Sequence, residues 1–279
     1  MQTISDRPVY FGEFAGPLVQ GAVFFDWQLI STQELAAAFG YSFEEILDKN
    51  GIPYAPVGVD ATIHRYPTIG ERITVNTHPL QVGESSLTLR YIVSDNDNEP
   101  LASIDATHVT IDANGGASPI PESTREAFAE AISDPGHKPD PPTVTADPEP
   151  THSFEWMTPV RSPYIEGAEL AYFEEYPRFA DIALENYVSK QGQSVGELSG
   201  EKYPYRIRNW HWDFRAPVRF ESELHIDCGV IACENDLIRV AHEFSTGETT
   251  NITGITEYGC FDETGAPTSF DNAMLKPFR

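Results

Sequence analysis

The chain has 279 residues, 40% of them hydrophobic, which is enough to bury one large core or two ordinary ones. Its 43 Asp and Glu residues outnumber its 18 Lys and Arg residues, and the formal net charge is −25. Phosphate backbones would be repelled by such a chain, so the composition argues against a nucleic-acid partner.

The acidic residues are spread through both halves of the chain, a composition that resembles proteins of salt-accumulating halophiles. A carboxylate-rich surface repels itself at low ionic strength, and molar salt shortens the Debye length to about 3 Å. We therefore expect stability to rise with added salt. An acidic mesophilic protein is the alternative interpretation.

The cysteine content and the hydropathy of the chain indicate the cellular compartment in which it is expected to occur. Cys228, Cys233 and Cys260 leave one thiol unpaired under any bridging scheme, and none lies in a CxxC or Cys/His metal pattern. Free thiols in a reducing cytosol are expected, with no metal site. No run of 18 apolar residues and no leader pattern occurs, so the chain is predicted to be soluble and cytoplasmic, without a membrane partner.

The first half of the chain predicts one helix followed by an antiparallel meander. Apolar residues at helical spacing cover residues 23–39, and Gly40 provides a natural stop. Alternating stretches then predict four strands, with a turn before the last of them. These strands are expected at residues 57–64, 72–82, 86–94 and 102–112.

The same order of elements returns after a linker. Six prolines and several acids make residues 133–152 an extended segment with nothing to pack. A second helix is predicted over 177–191, and it begins near Tyr176 because Pro177 is tolerated in a first helical turn. Four further strands are expected at residues 207–214, 223–232, 237–245 and 251–261.

Individual residues repeat as well as elements. Arg65 and Pro67 return as Arg215 and Pro217, each 150 positions later. Asp112, before a glycine turn, returns in the same way as Asp262. The chain is therefore predicted to contain two tandem copies of one unit.

Helix-then-meander copies look like the hot-dog fold, and the segment FRAPVRFESEL at residues 214–224 is similar to the 4-hydroxybenzoyl-CoA thioesterase family. The first copy keeps the Gly-acid pair of that motif as Gly70 and Glu71. The resemblance implies an α+β double hot-dog, with a long central helix wrapped by an antiparallel sheet in each copy. The expected domains are residues 1–132 and 153–279, joined by the linker 133–152.

In that family the segment entering the helix carries a catalytic carboxylate and two aromatic residues. Here Arg161, Tyr172 and Tyr176 fall in register with that motif, and Glu166 takes the position of the carboxylate. The first copy has Ala15 opposite Glu166 and Phe25 opposite Tyr176. The resemblance thus implies one working interface site per chain, contributed by the second copy.

The activity implied is hydrolysis of an acyl-CoA thioester to free acid and CoA. Glu166 would act as general base or as nucleophile, and both roles stay open. Backbone amides of Glu169 and Leu170, expected at the helix N-terminus, would stabilise the oxyanion. Other carboxylates compete for the catalytic role, namely Glu174, Glu175 and Asp26.

Substrate contacts are expected from Arg161, Tyr172 and Tyr176, and from His64 and Arg65 on the opposite wall. No cofactor or metal is expected, because coenzyme A enters only as part of the substrate. A homo-oligomer of double hot-dogs is compatible with this interpretation.

Two other functions remain open. A hot-dog dehydratase or hydratase would need a paired His and acid, whose motifs these His-bearing stretches do not reproduce. A non-catalytic acyl-thioester binding module would explain why the first copy lacks the carboxylate. Serine-hydrolase and nucleotide-binding functions are disfavoured, since neither a GxSxG elbow nor a glycine-rich phosphate loop occurs.

Overall fold

The computed structural model describes residues 1–142 and 149–279. Each half has a long helix followed by four main strands. The elements of the first half are β1 (Gln2–Pro8), β2 (Phe14–Ala15), β3 (Leu18–Val19), α1 (Val23–Ala38), α2 (Phe43–Leu47), β4 (Ile52–Ile63), β5 (Arg72–Val82), β6 (Ser86–Ser94), β7 (Pro100–Ile111) and α3 (Glu122–Glu130). Those of the second are β8 (His152–Pro159), α4 (Glu175–Lys190), α5 (Val195–Leu198), β9 (Lys202–Phe214), β10 (Glu223–Cys233), β11 (Ile238–Thr246), β12 (Thr249–Asp262), β13 (Pro267–Thr268) and α6 (Asn272–Leu275).

Of these strands, β2 and β3 pair only with each other, and all the others join in one antiparallel sheet. Its order is β1-β5-β6-β7-β4-β9-β12-β11-β10-β8, with β13 paired to β12. The two halves meet where β4 pairs with β9, from Gly58 opposite Asp213 to Thr62 opposite Asn209. The predicted meanders are thus continuous across the junction, and β7, β4, β9 and β12 form the centre of the sheet.

Alternation along the central strands explains the core. On β9, Trp210 and Trp212 are fully buried, whereas His211 between them is partly exposed. The inward side chains pack with apolar residues of α1 and α4, including Trp27 and Phe179. A sheet with one face covered by helices requires this period-two pattern.

Both long helices lie close to their predicted bounds, but several shorter elements were not predicted. β1 and β8, which precede the helix in each half, were not predicted, and β4 begins five residues before its predicted start. Nor was α2 predicted, although Ser42 and Glu45 form a capping box at its start. Within the predicted linker, residues 133–142 and 149–151 contain no helix or strand, and residues 143–148 lie outside the described part.

The repeat is present in the backbone, with a register that differs slightly from the predicted offset. The amides of His64 and Arg65 donate to Leu101 O, as those of Arg215 and Ala216 donate to Asn251 O. Arg215 is therefore equivalent to His64 and not to Arg65, so the strand motif is shifted by one residue. Asp112 and Asp262 keep the predicted offset: each carboxylate accepts two amide hydrogen bonds in its turn.

The described part of the linker crosses the outer face of the first half. Arg90, only 4% exposed at its side chain, pairs with Asp105 on the sheet and with Asp134 from the linker. Further along, the Asp140 amide donates to Thr62 Oγ1. No helix in the residues described is long and apolar enough to cross a membrane.

Candidate active site

Glu166 lies in a tight turn that precedes α4. The turn is flanked by Ile165 and Ala171, which form an antiparallel bridge with each other. The turn is closed by hydrogen bonds from Glu166 N to Leu170 O and from Glu169 N to Glu166 O. Glu169 adopts a left-handed conformation with φ 60°, which lets the chain reverse. This backbone fixes the Glu166 side chain beside the first half of the chain.

The equivalent turn in the first half holds Ala15 at the position of Glu166. Gln20 N donates to Glu13 O there, as Tyr172 N donates to Tyr164 O in the second half. The first-half turn is one residue shorter, because Phe14 pairs with Val19 whereas Ile165 pairs with Ala171. The extra residue changes the correspondence between the two halves by one position after the turn. Tyr176 is therefore equivalent to Phe24 and not to the predicted Phe25.

A cavity of about 290 Å³, called the cleft below, separates the Glu166 turn from the first half. One wall consists of the turn and the residues after it, including Leu170 and Phe173. The opposite wall is mostly apolar and comes from α1, α2 and the start of β4. Its residues include Leu29, Ile30, Gln33, Phe43, Leu47, Ile52, Ala55 and Pro56.

The Glu166 carboxylate is partly desolvated and hydrogen-bonded at both oxygens. Oε2 accepts from Ala168 N at 2.9 Å, and Oε1 accepts from Leu170 N at 3.3 Å. Burial raises the pKa of Glu166 above its ordinary value, and the two amide hydrogen bonds oppose that shift. A carboxylate with a raised pKa is a stronger base than an exposed one, as general-base chemistry at neutral pH requires.

The structure corrects the predicted oxyanion site. α4 begins at Glu175, so Glu169 and Leu170 lie in the preceding turn and not at the helix N-terminus. Both amides are also used, since Glu169 N donates to Glu166 O and Leu170 N donates to the Glu166 side chain. Among the hydrogen bonds of the described residues, Gly167 N has no acceptor, and Gly167 lines the cleft.

The predicted substrate-binding residues of the second half occupy different positions. Tyr172 lines the cleft, and its hydroxyl donates to Asp26 Oδ1 of α1 at 2.6 Å. Tyr176 is 6% exposed and lines a smaller apolar cavity of about 130 Å³ next to the cleft. Arg161 is exposed and is not among the residues lining either cavity.

His64 and Arg65 are not part of the cleft, and neither residue lines its opposite wall. Ala55 on β4 lines the cleft, and His64 follows nine residues later, about 30 Å along an extended strand. His64 instead approaches Ser103, and Arg65 pairs with Glu71 and Asp95. The two residues thus follow the end of β4, whereas the start of the same strand lines the cleft.

The competing carboxylates form a separate cluster at the N-terminus of α4. Arg178 pairs with both Glu174 and Glu175, at 3.0 and 2.7 Å. Burial and the nearby Asp26 raise the pKa of Glu174 to about 7, and Arg178 opposes the shift. Neither Glu174 nor Glu175 lines the cleft, so Glu166 is the better placed of the three acids.

Two arginines line cavities that adjoin the cleft. Arg219 lines a polar cavity of about 350 Å³, and Arg215 lines the small apolar one. All three cavities share Ile52 and Leu170. Within the described residues neither arginine has a carboxylate within salt-bridge distance, although most charged groups of the chain are acidic.

The wall of the cleft that the first half supplies was not predicted from the sequence. Ile52, Ala55 and Pro56 belong to the part of β4 that precedes the predicted strand, where Pro53 and Pro56 interrupt the strand pattern. Phe43 and Leu47 belong to α2, whose capping box at Ser42 was the signal available.

Comparison with known proteins is consistent with this geometry. Residues 24–126 match the model of the acyl-ACP thioesterase N-terminal domain family. A 12:0-ACP thioesterase from Umbellularia californica superposes with a TM-score of 0.71 at 13% identity, covering 95% of this chain and 96% of that chain. No curated protein matches in sequence.

Two bacterial structures are also similar. A protein described as an oleoyl thioesterase from Lactobacillus plantarum has a TM-score of 0.74 at 11% identity, covering 93% of this chain and 96% of that chain. An acyl-ACP thioesterase from Bacteroides thetaiotaomicron has a TM-score of 0.63 at 16% identity, with 92% and 96% covered.

The fold is therefore the predicted α+β double hot-dog. The family match and the fold together support the predicted enzyme class, a hydrolase of acyl thioesters. The specific resemblance to the 4-hydroxybenzoyl-CoA thioesterase family is not confirmed, since the family model that matches residues 24–126 is that of the acyl-ACP thioesterase N-terminal domain.

Proposed function

We propose that the chain hydrolyses acyl thioesters in the cleft between its two halves, with Glu166 as the catalytic carboxylate. The observation that carries the proposal is the position of Glu166, whose partly buried carboxylate faces an apolar wall supplied by the other half. An acyl chain packed on that wall gains from burial of its methylene groups. Its thioester carbonyl would then lie next to the carboxylate.

In the general-base route, Glu166 takes a proton from water while the water oxygen bonds to the carbonyl carbon. The carbon–sulfur bond then breaks, and the departing thiolate takes up a proton. In the nucleophilic route, a Glu166 oxygen bonds to that carbon, the carbon–sulfur bond breaks, and the thiolate leaves and takes up a proton from water. Water then hydrolyses the resulting anhydride to the free acid and the Glu166 carboxylate. The Gly167 amide, unused elsewhere in the described residues, is the proposed oxyanion donor in either route.

We infer that the thiol carrier is an acyl carrier protein rather than coenzyme A. The family matched by residues 24–126 and two of the similar structures are named for acyl-ACP substrates, which supports this choice. Both carriers present the thioester on a pantetheine arm that ends in a phosphate. Arg215 and Arg219, next to the cleft, offer cationic partners for such a phosphate.

The test is thiol release from dodecanoyl-ACP and dodecanoyl-CoA in molar salt. Glu166→Gln should lower kcat by roughly 10²- to 10⁴-fold, the range for loss of a catalytic base. The matched control is Glu248→Gln, at an exposed acid in the β11–β12 turn. Undiminished turnover by Glu166→Gln would exclude the assigned residue, and Glu174→Gln then tests the next carboxylate.

A non-catalytic binding module remains the second candidate, favoured by one observation. Both oxygens of Glu166 accept hydrogen bonds within its own turn, so the side chain also has a structural role. Binding of dodecanoyl-ACP without any thiol release would support this candidate. A dehydratase gains no support, since no histidine lines the three adjoining cavities.

A further inference from the structure

The chain has a second interface that is equivalent to the cleft by its internal repeat. There the first-half turn containing Ala15 faces the start of β9, as the Glu166 turn faces the start of β4. α1 and α4 each have 16 residues, starting at Val23 and Glu175. Asp181 and Glu185 of α4 therefore occupy the positions of Leu29 and Gln33, which line the cleft.

Arg206 on β9 is equivalent in the same way to Ala55 on β4. The preceding residues, Tyr54 and Tyr205, both have positive φ, at 41° and 59°. Ala55 pairs with Val109 and Arg206 with Gly259, and an irregularity follows one residue later in both strands. The two strands therefore share the same local backbone conformation, but β9 carries the guanidinium of Arg206 where β4 carries the methyl group of Ala55.

At the second interface a hydrogen bond joins the turn of the first half to the start of β9. Arg206 Nη2 donates at 2.6 Å to the carbonyl of Ala15, the residue equivalent to Glu166. Burial raises the pKa of Asp181 to about 8. Partial desolvation also raises the pKa of Glu185, although Glu185 remains exposed to solvent on one side, and the charge of Arg206 opposes both shifts. Gly21 is tightly packed here, because a Cβ at this position would lie 3.0 Å from Ile207 Cδ1.

We propose that Asp181, Glu185 and Arg206 form a plug that closes the second interface, so that each chain binds one acyl group and not two. The inference rests on the proposed function, because it takes the cleft to be the acyl site. Substituting the cleft residues at the equivalent positions should remove the plug without leaving an isolated buried charge. The corresponding variant is Asp181→Leu/Glu185→Gln/Arg206→Ala.

The experiment measures the stoichiometry of dodecanoic acid binding by isothermal titration calorimetry. One equivalent per chain is expected for the native protein and two for the triple variant. The control is Glu197→Gln/Glu201→Gln/Arg208→Ala, which makes the same change in net charge on the surface and should bind one. A folded triple variant that binds one equivalent, like the native chain, overturns the plug.

A different result would contradict the proposed function. If the native chain binds no dodecanoic acid, the proposed acyl cleft is overturned. The plug still stands in that case if the triple variant alone binds one equivalent.

A reciprocal variant covers the case in which the triple variant does not fold. Leu29→Asp/Gln33→Glu/Ala55→Arg places the same three groups in the cleft. We expect it to lose dodecanoic acid binding while unfolding cooperatively. Retention of one equivalent with unchanged affinity would contradict the plug, since the same groups would then not exclude an acyl chain.

Discussion

The hydroxyl of Tyr172 donates a 2.6 Å hydrogen bond to Oδ1 of Asp26, and so ties the segment before α4 to the first helix of the other half. The pair is partly buried, and the Tyr172 ring also lines the cleft. Burial and the Asp26 carboxylate raise the pKa of Tyr172, so the phenol stays protonated and donates throughout the neutral range.

Tyr172→Phe should therefore lower the free energy of unfolding by about 1–3 kcal/mol, the usual effect of losing a hydrogen bond to a charged group. Urea denaturation measures the change, and Tyr164→Phe serves as control because no hydrogen bond of that hydroxyl is seen. In a double-mutant cycle with Asp26→Asn the two losses should not add. Additive losses would show that the bond contributes nothing.

Activity should rise with pH through a pKa above the ordinary glutamate value. The base must be deprotonated to act, and burial raises the pKa of Glu166, so the active form is lost as pH falls through that raised value. The pH dependence of kcat/KM for dodecanoyl-ACP measures it. A profile flat down to pH 4 would be incompatible with Glu166 as the base.

Stability should decline as the solution is made acidic, because two histidines are buried in neutral form. Burial lowers the pKa of His108 to about 4 and that of His242 to about 3. Below pH 6.5 the unfolded chain binds protons that the folded chain does not, so the stabilising contribution is lost as pH falls from about 6.5 towards 4.

Melting temperatures of the native protein and of His108→Gln between pH 4 and 8 measure that contribution. The variant should be less stable at pH 8 but show a shallower decline on acidification. Parallel curves would mean that His108 does not titrate differently in the two states.

Substitution of Arg219 should weaken substrate binding without slowing chemistry. Its guanidinium lies at the polar cavity next to the cleft, and a phosphate contact of this kind is worth roughly a ten-fold change in KM. Arg219→Ser should raise KM for dodecanoyl-ACP and leave kcat unchanged, whereas Arg208→Ser should alter neither. An unchanged KM would place the carrier phosphate elsewhere.

Added salt should stabilise the folded chain. A net charge of −25 makes the compact state repel itself, and screening removes that penalty. The melting temperature should increase between about 0.1 M and molar KCl. If it is insensitive to KCl, the acidic surface does not limit stability and the mesophilic interpretation is preferred.

The sequence allowed the repeat and the long helices to be predicted because both depend on local pattern. Ala15 and Glu166 were matched correctly, since the extra residue of the second turn follows Glu166 and leaves the register before it intact. Phe25 and Tyr176, beyond that residue, were mismatched by one position.

The first-half wall of the cleft could not be predicted from local sequence pattern, for a physical reason. Ala55 lines the site because β4 continues past Pro56 towards α2, and prolines inside a strand remove the periodic signal. His64 was chosen from its motif, but a motif does not say which end of a strand faces the partner copy. That choice depends on the pairing of β4 with β9, a contact between residues distant in sequence.

The β4–β9 seam also determines which strand edges the chain presents to other molecules. Pairing of these two strands hides the edges that either half alone would expose, and leaves β1 and β8 as the outermost strands. β1 is short, irregular in register and carries Asp6 and Arg7, while β8 ends at Pro159. Charges, irregularity and proline all discourage further strand addition, so fusing the two copies protects the chain from open-ended sheet growth.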